Sequence, residues 1–226
     1  MRECIPLVIL LKKKLKYALT STEVKKIVRD RDGLIKVDHR VRRDPRFPCG
    51  FMDVISCDKT GENFRMLYDV KGKYIAHPIN SKEAEFKPCK VKKIAKGANA
   101  VPYLVTNDGR NIRFPHPAIK LNDTIKLNLE TGEIEVWYRF ETGATVMING
   151  GSKNIGRIGI IQSIQNHEST FDIVTVKDPR NKVFATRADN VFVIGEGKKT
   201  AISIPKGAGI RYTVIEEKEM RAEDEE

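Results

Sequence analysis

The chain has no hydrophobic run long enough to cross a membrane. The longest run, IPLVILL at residues 5–11, ends against the lysines of KKKLK, whereas a membrane-spanning helix needs roughly 18 or more apolar residues. A secretory signal would carry its charges before the apolar run and a small-residue cleavage site after it. The order here is reversed, which predicts a soluble intracellular protein of the cytoplasm.

Cysteine and histidine are scarce, and neither is clustered. The four cysteines are Cys4, Cys49, Cys57 and Cys89. No pair of them has the short C-x₂₋₄-C spacing of a zinc site, and the four histidines are scattered along the chain. Idle or buried thiols are the ordinary state of such cysteines in a reducing compartment. We therefore expect neither a metal site nor a cofactor.

The glycine-rich stretch GGSKNIGRIG (150–159) has the glycine spacing of a phosphate-binding loop but lacks its chemistry. Such a loop needs Lys and then Ser or Thr after its second glycine, and Arg157 and Ile158 occupy these positions. The flanking segments ATVMI (144–148) and IGIIQSIQ (158–165) are rich in β-branched residues and predict strands. The pattern therefore argues against nucleotide binding and favours a loop between two strands.

Acidic residues are too few to balance the basic ones, so the net charge is +11. Residues 1–57 carry 14 Lys and Arg against 7 Asp and Glu, and residues 58–134 carry 14 against 9. Residues 135–215 carry 11 against 7, and only residues 216–226 are acidic, with 2 against 7. A polyanion is the expected partner. Nucleic acid is favoured over a membrane because no basic amphipathic helix with large exposed apolar residues stands out.

Residues 1–57 begin with two predicted helices. Apolar residues recur at helical spacing between Pro6 and Leu19. Thr20 and Glu23 then form the capping box of a second helix, and Gly33 provides its C-terminal stop. The basic residues expected on the solvent faces of these helices are Lys12, Lys13, Lys14, Lys16, Lys25, Lys26 and Arg29.

A basic hairpin follows the helices. LIKV (34–37) predicts a strand, Asp38-His39 a tight turn and RVRRDPRF (40–47) the return, with a further strand at GFMDVIS (50–56). The arginines of the return are Arg40, Arg42, Arg43 and Arg46. Guanidinium groups clamp phosphate oxygens bidentately and stack on bases. Since three separate elements each have a basic face, RNA contact is favoured over a merely solvated surface.

The order of these elements resembles the αL-type RNA-binding motif of several ribosomal proteins and RNA-modifying enzymes. The resemblance is carried by EVKKIV (23–28) and GLIKVDHRVRRDPRFPCGFMDVIS (33–56). One position departs from the motif, because His39 stands where the turn usually carries glycine. A non-glycine residue is less comfortable at positive φ, which leaves the turn type open.

Residues 58–134 predict a small central β barrel or sandwich. Short alternating segments are separated by turn sequences such as KTGEN, VKGKY and ETGE. Asn107-Asp108-Gly109 predicts a hairpin between strands at 101–106 and 111–114. The segment 118–140 predicts three strands, and no catalytic constellation is found in this region.

Residues 135–195 predict about five short strands, as in a small SH3-like barrel. VMINGGSKNIGRIGIIQSI (146–164) is similar to the KOW motif, in which glycines shape a loop that lets the backbone approach RNA. The glycines of this loop are Gly151, Gly156 and Gly159, and its expected counter-charges to RNA phosphates are Lys153 and Arg157. Residues 196–226 form a basic-then-acidic extension, whose end predicts a mobile, solvated helix without RNA contact.

Together these units resemble the eukaryotic and archaeal family of small-subunit ribosomal proteins numbered four. LKYALTSTEVKKI (15–27), LNDTIKLNLETGEI (121–134) and FATRADNVFVIG (184–195) are characteristic of it. The resemblance implies an α+β, multidomain, non-catalytic protein that binds ribosomal RNA, in the 5′ domain, beside other small-subunit proteins. It implies no cofactor, membrane or small-molecule substrate, and nucleolar assembly if the source is eukaryotic. Family members are expected to carry a further basic arm before RECIPL (2–7) and a less acidic end.

Two other functional classes are weighed. An RNA-modifying enzyme would need a catalytic domain beside the αL-type unit, and the chain has no G-x-G-x-G cofactor loop, no G-R-[LV]-D aspartate and no H-x-E with paired cysteines. A KOW-type factor that cycles on and off its RNA is separated from a stable subunit protein only by the family resemblance.

Overall fold

The computed structural model describes residues 3–197, 199–205, 207 and 209–225, and these are mostly β-structure with few helices. The helices are α1 (Leu7–Ile9, continued as a π-helix over Leu10–Lys14), α2 (Ser21–Val28), α3 (Ser81–Ala84) and α4 (Val214–Glu225). The strands are β1 (Cys4–Pro6), β2 (Ile35–Val37), β3 (Arg40–Val41), β4 (Pro48–Gly50), β5 (Val54–Cys57), β6 (Glu62–Tyr68), β7 (Tyr74–Ile79), β8 (Phe86–Lys96), β9 (Pro102–Thr106), β10 (Asn111–Arg113), β11 (Thr124–Asn128), β12 (Ile134–Tyr138), β13 (Ala144–Ile148), β14 (Ile158–Gln165), β15 (Ile173–Lys177), β16 (Val183–Arg187), β17 (Val191–Glu196) and β18 (Lys199–Thr200). None of the described helices combines the length and the apolar character that a membrane span requires.

The first sheet is antiparallel, with the strand order β3-β2-β5-β6-β7. The buried faces of α1 and α2 pack on it, since Leu7 and Val24 share one apolar core with Ile55 and Met66. The small pair β1–β4 ties the start of the chain to this unit. The sheet runs on to Ile79, so the predicted boundary between residues 57 and 58 lies inside it.

The first helix is shorter than the sequence predicts, and the second agrees with its capping signal. Helical structure ends at Lys14 instead of continuing to Leu19, because Lys16 adopts the left-handed conformation at φ 57°. In α2, the Thr20 hydroxyl accepts a hydrogen bond from the Glu23 backbone N–H at 3.3 Å. The Glu23 carboxylate accepts from the Thr20 N–H in return, so the predicted capping box is confirmed.

The middle sheet has the strand order β10-β9-β8-β11-β12. The predicted hairpin at residues 107–109 is confirmed, because β9 and β10 pair across it. The segment 118–140 contains two strands instead of three. Asp123 prevents an earlier strand by closing a turn, since its carboxylate accepts hydrogen bonds from the backbone N–H groups of Lys120 at 2.7 Å and Phe140 at 2.8 Å.

The third sheet has the order β16-β15-β14-β13-β17-β18 and contains all five strands predicted between residues 135 and 195. The sequence predicts a barrel or sandwich for the middle region and an SH3-like barrel for residues 135–195. Within the part of the chain that the structure describes, the first and last strands of each order are not hydrogen-bonded to each other. Both are therefore open sheets, because their edge strands are not paired with each other.

Buried contacts join the three sheets. The ring of Phe51, beside the first sheet, meets the ring of Phe192 on β17 edge to face, with centroids 5.2 Å apart. The buried Lys90 ammonium on β8 donates hydrogen bonds to the carbonyls of Ala188, Asp189 and Val191 at 2.7–3.1 Å. Burial, with Lys92 nearby, lowers the pKa of Lys90 to about 7. The middle and third sheets are thus attached through a buried polar contact.

Candidate nucleic-acid interface

The helical lysines predicted to bind RNA lie on an exposed surface. Leu10, Leu11, Val24 and Val28 turn one side of α1 and α2 into the core. The predicted cations on these helices and just after their ends are all exposed: Lys12, Lys13, Lys14, Lys16, Lys25, Lys26 and Arg29. We call these seven residues the helical basic face. Within the described residues none of the seven forms an ion pair, so their charges are available to a polyanion.

The hairpin turn resolves the question raised by His39. Asp38 and His39 both have positive φ, at 51° and 61°, which is the conformation of a two-residue type I′ turn. Tertiary contacts stabilise it without glycine. The Asp38 carboxylate accepts a hydrogen bond from the Val54 N–H at 3.1 Å, and the His39 Nε2 lies 3.0 Å from the Ala84 carbonyl oxygen.

The four hairpin arginines divide into two kinds. Arg40, Arg43 and Arg46 are exposed. Arg42 is half-buried, and its guanidinium stacks over the Phe47 ring at 4.3 Å from the centroid. The exposed arginines can therefore meet an RNA backbone directly, whereas Arg42 is held in one orientation.

Glycines of the KOW-like loop allow other parts of the protein to pack closely against the loop. Gly156 has φ 78°, and a Cβ there would overlap the carbonyl of Asp69 in the β6–β7 turn. Gly159 lies against the Lys177 carbonyl and the Val176 side chain on β15. Gly151 has φ 86° and more open surroundings. Two of the three glycines thus allow close backbone packing between strands and between sheets.

Substitution of Gly156 by Ala is expected to destabilise the protein by about 2–4 kcal/mol, since it adds both a left-handed backbone penalty and an overlap with Asp69. Gly151→Ala is the matched control. It carries the same backbone penalty at φ 86° without the overlap and should cost only about 1 kcal/mol. Urea unfolding of both variants measures the difference, and equal losses would remove the packing role of Gly156.

The two predicted loop cations differ in their surroundings. Lys153 is exposed. Arg157 is engaged within the protein, because its guanidinium pairs with the buried carboxylate of Asp178, donates to the Asn154 side chain at 3.0 Å and lies 3.8 Å from the Phe184 ring centroid. Arg157 is therefore held by contacts within the protein, whereas the Lys153 side chain faces solvent.

Comparison with known proteins decides the family. A model of the family described as "Ribosomal family S4e" matches residues 60–134, and a model of "40S ribosomal protein S4 C-terminus" matches residues 178–225. The proteins named small ribosomal subunit protein eS4C and eS4A of Schizosaccharomyces pombe are each 54% identical to this chain over 220 residues, which covers 97% of it and 83% of each relative. The chain belongs to the S4e family.

A solved structure gives the same assignment for the fold. The crystal structure of the 30S ribosomal protein S4e from Thermoplasma acidophilum has a TM-score of 0.74 and 26% sequence identity, and the match covers 88% of this chain and 99% of that one. The mostly β architecture described above is therefore the S4e fold.

One further exposed basic segment of this S4e-family chain was not predicted from the sequence. Strand β8 leaves the core at its C-terminal half, where Lys92, Lys93 and Lys96 are exposed. Arg113 at the end of β10 in the same sheet is exposed as well. The signal was present in KVKKIAK (90–96), where lysines interrupt an apolar pattern. Their exposure depends on where the strand runs beyond its neighbours, which the sequence does not give.

A buried charge cluster joins the first sheet to the middle sheet. We call it the Lys87 cluster, and its members are Lys87, Asp38, Asp53, Asp108 and Arg110. The Lys87 ammonium, 1% exposed, lies 2.7 Å from an oxygen of Asp38, 2.6 Å from one of Asp53 and 3.3 Å from one of Asp108. Burial alone would lower the pKa of Lys87, but the Asp53 and Asp38 carboxylates raise it above its ordinary value. Burial raises the pKa of Asp53.

Stability should fall in acid through Asp108. Burial acts to raise its pKa, but the charge of Lys87, the Thr106 hydroxyl and Arg110 together lower it to about 2. A folded-state pKa below the unfolded value of ~3.9 contributes stability above pH 4 that disappears as the pH falls to 2. We expect the difference in unfolding free energy between wild type and Asp108→Asn to shrink by about 2 kcal/mol over that range. Urea unfolding at a series of pH values measures it, and a constant difference would contradict the assignment.

The acidic end of the chain forms α4, whose first turn pairs with the body of this S4e-family protein. The Glu216 carboxylate lies 3.2 Å from Arg180 and 4.0 Å from Lys182. Glu217 lies 3.2 Å from Lys71. The sequence predicted a solvated helix, and the structure adds contacts that neutralise three cations outside the helical basic face.

Among the described residues, no group of three or more His, Cys, Asp or Glu side chains is placed to hold a metal ion. The four cysteines are unpaired thiols, and burial raises the pKa of Cys49 and Cys89 well above its ordinary value. Such thiols are protonated at neutral pH and poor nucleophiles.

Proposed function

We propose that this chain is a structural protein of the small ribosomal subunit that binds ribosomal RNA through several basic surfaces. Its membership of the S4e family and the names of its relatives as small-subunit proteins support the assignment. The observation that carries the RNA-binding part is the helical basic face, with seven exposed cations and no ion pair within the described residues. The proposal includes no catalytic step, in line with the structural proteins of this family.

The finer assignment of modules is also part of the proposal. We assign residues 1–57 to an αL-type RNA-binding unit, 58–134 to a central β domain, 135–195 to a KOW SH3-like domain and 196–226 to a C-terminal extension. The type I′ turn at Asp38-His39 supports the αL-type assignment of the hairpin, and the five strands β13–β17 around the glycine loop support the KOW assignment. Strands β6 and β7 lie in the second assigned segment and complete the sheet of the first, so these two segments share one sheet.

The proposed contacts combine exposed cations from the helices, the hairpin, the middle sheet and the glycine loop. They are the helical basic face, Arg40, Arg43, Arg46, Lys153, Lys92, Lys93, Lys96 and Arg113. Lysines and arginines on a folded surface displace the counterions of RNA, so affinity falls steeply with salt. Structured RNA is recognised mainly by its shape and by contacts to phosphates and 2′-hydroxyls. We propose the 5′ domain of the small-subunit RNA as the target, with neighbouring small-subunit proteins as further partners.

Binding of the purified chain to RNA tests this proposal. Transcripts of the 5′ domain and of the remaining domains of the small-subunit RNA are titrated in filter-binding assays at a series of salt concentrations. We expect tightest binding to the 5′-domain transcript and a linear fall of log K with log salt. Equal binding to all transcripts would contradict the choice of domain, and salt-independent binding would contradict the role of the exposed cations.

The same proposal predicts the cellular location of the protein. A protein of the small subunit acts in the cytoplasm, and in a eukaryotic cell it joins the subunit in the nucleolus. A fluorescent fusion that concentrates in nucleoli and is exported only while ribosome assembly continues would support this route, and exclusion from nucleoli would contradict it.

A further inference from the structure

A cavity of about 1090 Å³ opens where the three sheets meet. One wall is the β2–β3 hairpin with the residues after it. The facing wall comes from β8 and the β9–β10 turn, and one end is formed by the loops after β13 and before β17. Ligand pockets in proteins measure roughly 300–1,000 Å³. This cavity therefore has room for a group as large as a nucleotide.

Charged side chains of both signs line the cavity, and those of the Lys87 cluster are paired with one another. Arg40 and Arg42 lie on the hairpin wall, and Lys92 lies on the facing wall. Within the described residues none of these three forms an ion pair. The carboxylates of the Lys87 cluster lie at the floor, where Lys87 and Arg110 already pair with them. Glu3 and Asp189 line the cavity as well, so an anion in the cavity meets the three unpaired cations together with two further carboxylates.

Arg42 has the geometry of a stacking group. Its guanidinium is held at 4.3 Å from the Phe47 ring centroid on one side, while the residue also lines the cavity. Its Nε is buried and has no hydrogen-bond partner. A guanidinium plane supported on one face leaves the other free, and proteins stack unpaired RNA bases on such planes.

Side-chain amides supply groups that can read the edge of a base. Asn107, Asn149 and Asn190 line the cavity. The Asn107 oxygen accepts a hydrogen bond from the Lys90 N–H at 2.9 Å, which leaves its NH₂ group as a donor. Gly150 adds no side chain, and a Cβ there would contact the Asn190 oxygen. The Asn190 side chain thus lies directly against Gly150, and the three amides give the cavity polar groups that can pair with a base.

We propose that the cavity receives an unpaired nucleotide of the bound ribosomal RNA. The base stacks on the guanidinium of Arg42, and the phosphates on either side of it lie near Arg40 and Lys92. This inference rests on the proposed RNA binding and adds a site for single-stranded RNA to surfaces that bind by charge. An acidic peptide is the competing occupant, but it would leave the stacking face of Arg42 unused.

Chemical probing of the small-subunit RNA tests the proposal. Base methylation and 2′-hydroxyl acylation are mapped on RNA alone and on complexes with wild type, Arg42→Gln, Lys92→Gln and Lys25→Gln. Wild type should protect one to a few unpaired nucleotides at least 5-fold. The two cavity variants, from opposite walls, should restore the reactivity of those nucleotides while other protected positions remain. Lys25→Gln, on the helical basic face, should weaken overall binding and keep the same protected nucleotides at saturation.

The outcomes separate this inference from the proposed function. If wild type protects RNA but no unpaired nucleotide responds to both cavity variants, the cavity site is overturned and RNA binding stands. If no position is protected, RNA binding itself fails. Free mononucleotides and a poly-glutamate peptide are added as competitors. If millimolar mononucleotide removes only the protection of the nucleotides that respond to the cavity variants, the site is supported. If poly-glutamate removes that protection and mononucleotide does not, the cavity binds acidic peptide and the proposal is overturned. Lys92 is exposed, so its variant remains informative even if Arg42→Gln does not fold.

Discussion

Replacement of Lys87 by Met is expected to lower the free energy of unfolding by about 3–5 kcal/mol, the cost of leaving buried carboxylates without their cation. Three carboxylates lie within 3.3 Å of its ammonium. Asp38 and Asp53 belong to the first sheet, and Asp108 belongs to the middle sheet with Lys87. Loss of the cation therefore places like charges together at the joint between two sheets, and we expect these sheets to separate before either unfolds.

The control for this prediction is Lys36→Met. Lys36 pairs with Asp58 at 2.7 Å, but both side chains are substantially exposed, at 35% and 45%. Exposed ion pairs contribute about 0–1 kcal/mol, so this variant should remain close to wild type. Urea unfolding is followed by tryptophan fluorescence and by far-UV circular dichroism. The two signals give the free energy of unfolding of each variant and show whether the sheets separate before they unfold. Equal stability of the Lys87 and Lys36 variants would mean that the Lys87 cluster does not hold the sheets together.

Replacement of Lys12, Lys13, Lys25 and Lys26 by Gln is expected to weaken RNA binding on the order of 100-fold at about 0.15 M salt. If each lysine meets a phosphate, the slope of log K against log salt should fall by about three. Folding should be unaffected, because all four side chains are exposed. Filter binding across a salt series measures affinity and slope together.

The chain offers a control with the same change in charge. The control variant replaces four lysines that each pair with a carboxylate: Lys36, Lys71, Lys126 and Lys182. Their replacement by Gln removes the same four charges from positions that the protein has neutralised itself. We expect a much smaller loss of affinity and a slope near that of wild type. Equal losses in the two variants would show that net charge alone, and not the helical basic face, determines binding.

The parts of the fold that could be predicted from sequence are those that depend on neighbouring residues. The capping box of Thr20 and Glu23 needs only a spacing of three, and it is present. The turn at Asn107-Asp108-Gly109 is likewise local, and β9 and β10 pair across it. The early end of α1 was not predicted, since nothing in the leucine spacing shows that Lys16 takes a left-handed conformation.

The parts that could not be predicted depend on residues far apart in the chain. Lys87 and Lys90 resemble surface lysines in the sequence, yet both are buried. Lys87 meets Asp38 and Asp53 across 49 and 34 positions, and Lys90 meets carbonyls about a hundred positions away. No local pattern encodes these partners.

The candidate interface shows the same division. Composition was enough to predict the helical basic face, because an amphipathic helix exposes its lysines wherever the core lies. The packing of the glycine loop could not be predicted, because a Cβ at Gly156 would overlap the Asp69 carbonyl of another sheet. The expected approach of this loop to RNA stays a prediction. The cavity between the sheets could not be predicted, since it exists only through their packing.

Sedimentation of a tagged copy of this chain tests the central claim most directly. Cell lysate is separated on sucrose gradients at low and at high salt, and the tag is followed beside the small-subunit RNA. A structural protein of the subunit should migrate with it at both salt concentrations, since many contacts formed during assembly do not dissociate together. A chain that remains at the top of the gradient, or leaves the subunit at high salt, would contradict this account and favour a factor that binds RNA transiently.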